Sequence, residues 1–124
     1  TRLLLLFLLF DSAAAVSFGT MEAKEGDAGR QSEFRVDSHG RDTWERKLKN
    51  GSTQTFKVCG EALMPNCGKW VDKSGITYAS GVSITAGGKR MRIDHGKATT
   101  ADSGEYFVIG SRFPISVFVE VKKK

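Results

Sequence analysis

Apolar and polar positions alternate along most of this chain, and the period is two rather than the three to four of a helix. Ser32, Phe34 and Val36 take one parity and Glu33, Arg35 and Asp37 the other, the pattern of a half-buried strand. Trp44 and Leu48 share a parity over residues 43–49 while Glu45 and Lys47 take the other, and Phe56 and Val58 point inward over residues 53–58. Between these two strands Asn50-Gly51 is a two-residue hairpin signal. Met91 and Ile93 alternate with Arg90, Arg92 and Asp94; Tyr106 and Val108 alternate with Glu105, Phe107 and Ile109. Ile115, Val117, Val119 and Val121 alternate with Ser116, Phe118 and Glu120. A loose first strand from Val16 to Ala23 and a short one at Val82-Ser83-Ile84 complete the pattern, with turns at Glu25-Gly26-Asp27, Ser38-His39-Gly40 and Ala86-Gly87-Gly88. Residues 60–73 show no period and read as an irregular segment holding Trp70 and both cysteines. About eight short strands at this spacing predict an all-β sandwich.

One stretch falls outside that rhythm. Leu3 to Phe10 is a run of eight apolar residues, preceded by Arg2 and followed by Ser12-Ala13-Ala14-Ala15. A membrane-spanning helix needs about 20 such residues, so no membrane span is expected. A basic flank, a short apolar region and an Ala-x-Ala site predict a secretory signal peptide over residues 1–15 and a mature domain over 16–124. Secretion changes the meaning of two further features. It places Cys59 and Cys67 in an oxidising compartment, and it makes Asn50-Gly51-Ser52 a meaningful N-glycosylation sequon.

Between the last two predicted strands but one, Asp102-Ser103-Gly104-Glu105-Tyr106 has the form Asp-x-Gly-x-Tyr. With Trp44 upstream and the alternating strand downstream, the mature region resembles an immunoglobulin-like domain. The resemblance implies a Greek-key sandwich of about seven to nine strands. Glu25-Gly26-Asp27 would precede strand B, Trp44 would be the core Trp of strand C, Met91-Arg92-Ile93 would be strand E, and Tyr106 would close the corner between strands E and F. The short secreted form and Trp-rich middle also resemble small single-domain immunoglobulin-like proteins of nematodes. Departures from the family are equally specific. Its disulfide between strands B and F is lacking, because Ser32 or Phe34 stands at the first position and Val108 at the second. Ala98 takes the apolar position of the E–F connection. The family's motif Asp pairs with an Arg at the start of strand D, but no Arg stands near Val82, so Arg46 on the inward parity of strand C is the expected partner of Asp102.

The candidate chemistry is sparse. Cys59 and Cys67, eight apart, are expected to form a local disulfide contributing about 2.5 kcal/mol by loop entropy. A metal needs three or four ligands, and the fold implied by the resemblance sets His39 and His95 at opposite poles. No metal, cofactor or catalytic role is therefore expected. Ser103 beside Asp102 belongs to a turn, with no His placed to activate it. The net charge of +5 allows attraction to anionic surfaces. Arg90, Arg92, Lys89, Lys97 and the terminal lysines could gather into a patch for anionic glycans such as heparan sulfate. Aromatic residues are not interleaved with them, which argues against nucleic acid.

The phase of the strands carries the functional expectation. If Tyr106 and Val108 face the core, Phe107 and Ile109 face outward, and Phe118 joins them from the last strand. These three would share the outer face of the sheet formed by strands G, F, C and C′. A contiguous apolar patch on a monomer marks an interaction site, and in the family this face often serves dimerisation or ligand contact. The predicted protein is thus a secreted, non-catalytic module for extracellular protein recognition, able to self-associate, with Arg112 and Phe113 in the F–G turn as second contacts. An anionic-glycan module is the alternative. A competing arrangement would have the Trp70 segment fold over the apolar face.

Overall fold

The computed structural model describes residues 16–36, 42–59, 67–85, 90–110 and 115–123. Within them ten strands run β1 Val16–Lys24, β2 Gln31–Arg35, β3 Thr43–Leu48, β4 Thr53–Lys57, β5 Trp70–Asp72, β6 Thr77–Tyr78, β7 Val82–Ile84, β8 Arg90–Asp94, β9 Gly104–Val108 and β10 Ile115–Lys122. They form a seven-stranded sheet in the order β1-β10-β9-β3-β4-β5-β6 and a three-stranded sheet in the order β2-β8-β7. This is the immunoglobulin-like arrangement, with β3 and β9 as strands C and F at the centre of one sheet and β2 and β8 as B and E in the other. The segment expected to be a signal peptide, His39, Arg112 and Phe113 lie outside the described residues.

The period-two pattern explains the core. Trp44, Tyr106, Met91, Ile93, Val117 and Val119 are all buried between the sheets, because strand geometry sends every second side chain to one face. Phe34, where the family's first cysteine would stand, packs against this cluster, and Val108 at the second position is buried. Burying side chains of this size stabilises by about 1.5–3 kcal/mol each, so apolar packing occupies the place of the missing cross-sheet disulfide. Ala98 is buried in the E–F connection as expected.

Three parts of the sequence reading are corrected. The irregular segment contains β5, and β6 follows it; strands of three and two residues are too short to show a period. Trp70, at the start of β5, faces the core rather than the outer surface. The hairpin between β3 and β4 is longer than a two-residue turn. Gly51 adopts φ 92°, its N–H donates to Leu48 O, and Leu48 N–H donates to Ser52 O, as in a type I turn followed by a left-handed glycine.

The Cys59–Cys67 disulfide is formed. It closes the connection from β4 to β5 within one sheet, helped by Gly68 N–H donating to Lys57 O at 2.8 Å. It does not join the two sheets.

Gly104 is required by proximity. It lies opposite Leu48 in the β3–β9 ladder, where a Cβ would collide with the Lys47 carbonyl oxygen and sit 2.8 Å from Leu48 Cα. Both obstacles are backbone of a central strand. Gly104→Ala is expected to cost about 3 kcal/mol, the upper end for overpacking, seen as a lower midpoint in urea denaturation. An unchanged midpoint would mean that β3 and β9 can separate freely.

Candidate functional site: the outer face of the larger sheet

The corner that fixes the phase of β9 is built around a buried cation. Arg46 on β3 is 2% exposed and Asp102 is 3%, and Arg46 Nη1 lies 2.9 Å from Asp102 Oδ1. The guanidinium makes further bonds: Nε and Nη2 donate to Gln54 Oε1 at 2.8 and 2.5 Å, and Nη1 also reaches Ser80 Oγ and the Tyr106 hydroxyl at 2.9 Å. Asp102 accepts from the Ser80 hydroxyl on Oδ1 and from Gly81 and Thr99 N–H on Oδ2. The Tyr106 hydroxyl donates to Asp102 O at 2.6 Å. Burial, reinforced by the Asp102 charge, raises the Tyr106 phenol well above its ordinary pKa, so it stays protonated and remains a donor. The pairing expected of Arg46 and Asp102 is therefore present. Ser103 is committed as well, its buried hydroxyl accepting from Val121 N–H at 2.9 Å.

With Tyr106 and Val108 buried, Phe107 and Ile109 turn to the outer face. Val117, Val119 and Val121 are buried on β10 and leave Phe118 outward. Ladder register places Phe107 opposite Ser116 and Phe118 opposite Glu105, so the two rings are diagonal neighbours, within reach of one another's side chains. Ile109 continues the stripe just beyond β9, its N–H donating to Thr43 O. Phe118 is 44% exposed and Ile109 39%, while Phe107 is half-buried beneath Lys47, whose Nζ lies 5.6 Å from the ring centroid. The structure thus brings Phe107, Ile109 and Phe118 onto one face.

Trp70 itself does not cover them; residues 60–66 of its segment lie outside the described residues. Trp70 Nε1–H donates to Val82 O at 2.8 Å, its ring stands 4.9 Å from Phe56 and 5.3 Å from Tyr106, and the Arg46 guanidinium lies 4.5 Å from its centroid. Strands β5 and β6 extend the sheet sideways. A cleft of about 300 Å³ opens on this extension, lined by Glu45, Thr55, Lys57, Val71 and Lys73.

Two exposed apolar residues escaped the sequence reading. Ile76 is 56% exposed and Tyr78 39%, both on the β5–β6 hairpin. The hairpin is ordered by Asp72, which accepts from Ser74 and Ile76 N–H and from the Tyr78 hydroxyl at 2.7 Å. The Tyr78 and Ile76 bonds hold the Asp72 carboxyl below the usual carboxylate range, and the same Asp72 contact raises the Tyr78 phenol. Gly75 between them was the available turn signal.

The remaining candidates sit elsewhere. Asn50 is exposed at the β3–β4 hairpin, its Oδ1 accepting from Ser52 N–H at 2.8 Å, which leaves the nitrogen that would carry a glycan outside that bond. Arg90 and Arg92 point outward on the smaller sheet but share Glu33, at 3.1 and 2.8 Å. Arg92 first, then Arg90, lowers the Glu33 pKa through these bonds. Among the described residues no three His, Cys, Asp or Glu side chains gather as a metal site, and no helix is long and apolar enough to cross a membrane.

No family model matches the chain, and no curated protein matches it. Among solved structures, the CD2-binding domain of CD58 (lymphocyte function-associated antigen 3) is similar to 86% of this chain, at 14% identity and a TM-score of 0.47. The chain spans 54% of that structure. The immunoglobulin-like assignment stands on strand order, register and the Tyr106 corner.

Proposed function

We propose that this chain is a secreted, non-catalytic binding module for extracellular protein recognition, acting through the outer face of β10, β9, β3 and β4, and that it self-associates there. The observation that carries this reading is the diagonal stripe Phe118–Phe107–Ile109, large apolar side chains on one sheet face with Lys47 and Glu105 beside them. Apolar anchors within a polar rim are the composition of a recognition surface. The Cys59–Cys67 disulfide supports an oxidising, extracellular setting. The structural commitments of Asp102 and Ser103 support a non-catalytic role, since neither side chain is free for chemistry. Asn50 lies at the Lys47–Thr53 end of the face, so a glycan there would border the stripe.

Phe118→Asp tests the reading with little risk to the fold, because the side chain is exposed. Sedimentation equilibrium at high protein concentration is expected to show a dimer for the native chain and a monomer for the variant, with melting lowered only slightly by the new charge opposite Glu105. A native chain that stays monomeric would end the self-association proposal. Capture of an extracellular protein partner that survives Phe118→Asp would end the assignment to this face.

A further inference from the structure

Parallel pairing of β1 with β10 sets like charges side by side: Glu22 lies opposite Glu120 and Lys24 opposite Lys122. Directly opposed like charges are destabilising. The first pair is relieved by Lys122, whose Nζ lies 3.7 Å from Glu22 and 3.8 Å from Glu120. Lys24 has no ion-pair partner among the described residues. Beside it a cleft of about 270 Å³ is lined by Lys24, Arg30, Lys122 and Lys123, with Glu22 as its one carboxylate and His95 between them. The four cations come from the end of β1, the turn after it and the end of β10.

His95 holds two of those segments in place. It is 2% exposed. Its Nδ1 accepts from Lys24 N–H at 3.4 Å, its Nε2 shares a 2.7 Å hydrogen bond with Ser32 Oγ, and its own N–H donates to Arg30 O at 2.9 Å. The backbones carrying Lys24 and Arg30 are thus fixed before any ligand arrives, which lowers the ordering cost of binding. Arg30 itself has only a surface contact, 3.6 Å from Asp27.

We infer that this cleft docks a sulfated polysaccharide. Ammonium groups act as point charges that suit sulfate esters, and a guanidinium adds a forked donor. The large exposed apolar side chains, Ile76, Tyr78, Ile109 and Phe118, do not line the cleft, so it lacks the apolar anchor of a membrane-surface site. No Phe, Tyr or Trp lines it either, and the His95 ring is buried and hydrogen-bonded, so it offers no stacking platform for nucleic acid. Arg90 and Arg92 do not line the cleft and lie on the smaller sheet, where they share Glu33. The site shares no residue with the Phe118–Phe107–Ile109 stripe and stands independently of the protein-recognition reading.

The test is binding of the full chain to a heparin oligosaccharide, by calorimetry across a salt series. The native chain is expected to bind with a steep salt dependence. Lys24→Ser with Lys123→Ser should reduce the slope of log K against log salt by roughly two, one per cation removed, with melting no lower, since Lys24 opposes Lys122. Arg90→Ser with Arg92→Ser should leave the slope as it was. The inference is overturned if the first pair leaves the slope unchanged, or if the second pair moves it as much. Equal binding of the desulfated oligosaccharide overturns the requirement for sulfate. Saturation by inorganic sulfate alone, at the concentrations at which the oligosaccharide saturates, would overturn the polysaccharide assignment in favour of a free-anion site.

Discussion

Asp102→Asn is expected to destabilise the folded domain by about 3–5 kcal/mol, the range for breaking a buried ion pair by removing one partner. Lost charge is only part of the reason. One carboxylate oxygen accepts from Arg46 and the Ser80 hydroxyl, and the other accepts from Gly81 and Thr99 N–H. An amide has one accepting oxygen. Either its NH2 group confronts two backbone N–H donors, or it confronts a guanidinium that is 2% exposed. The midpoint of chemical denaturation should therefore fall sharply. In a double-mutant cycle, Arg46→Met combined with Asp102→Asn should cost less than the sum of the two single changes, because the second removes a charge that the first has left unpaired. Unchanged stability of Asp102→Asn would show that the pair contributes nothing.

Trp70→Ala is the second large effect, about 3–5 kcal/mol. The ring fills the core where β5 meets Phe56 and Tyr106, and its Nε1–H is the partner of Val82 O across to the smaller sheet. Alanine leaves a cavity, an unpaired carbonyl and an Arg46 guanidinium without the aromatic face 4.5 Å away. Amide exchange should accelerate first in β5, β6 and β7, the strands that this side chain holds. Trp44 offers the contrast. It is as deeply buried, but its Nε1 has no hydrogen-bond partner among the described residues, so Trp44→Phe removes an unsatisfied donor and should cost far less than the loss of Trp70. If Trp70→Phe proves no costlier than Trp44→Phe, the Val82 bond is without weight.

The strands most legible in the sequence were those long enough to alternate; the three-residue β7 was visible only through its β-branched ends, Val82 and Ile84. Five or more residues with one buried face produce a visible period, and the Asp102–Tyr106 motif then set their phase. Parity alone also placed Arg46 inward, which made it the one basic side chain able to meet Asp102. The segment from 60 onward was opaque for a physical reason: β5 and β6 are three and two residues long, and a single buried Trp at a strand start has no period to betray it. For the site, outward phase brought Phe107, Ile109 and Phe118 to light. Cross-strand relations such as Glu33 between Arg90 and Arg92, or Lys24 against Lys122, depend on register between distant segments, which no local pattern encodes.

Parallel pairing of β1 and β10 has a mechanical consequence. Both strands run the same way, so the described domain is entered at Val16 at one pole and left at Lys122 at the other, about 25 Å away along the strand. A load applied between these two points pulls the strands past one another lengthwise. The rungs from Thr20–Phe118 to Lys24–Lys122 would then resist together in shear instead of opening one at a time like a zip.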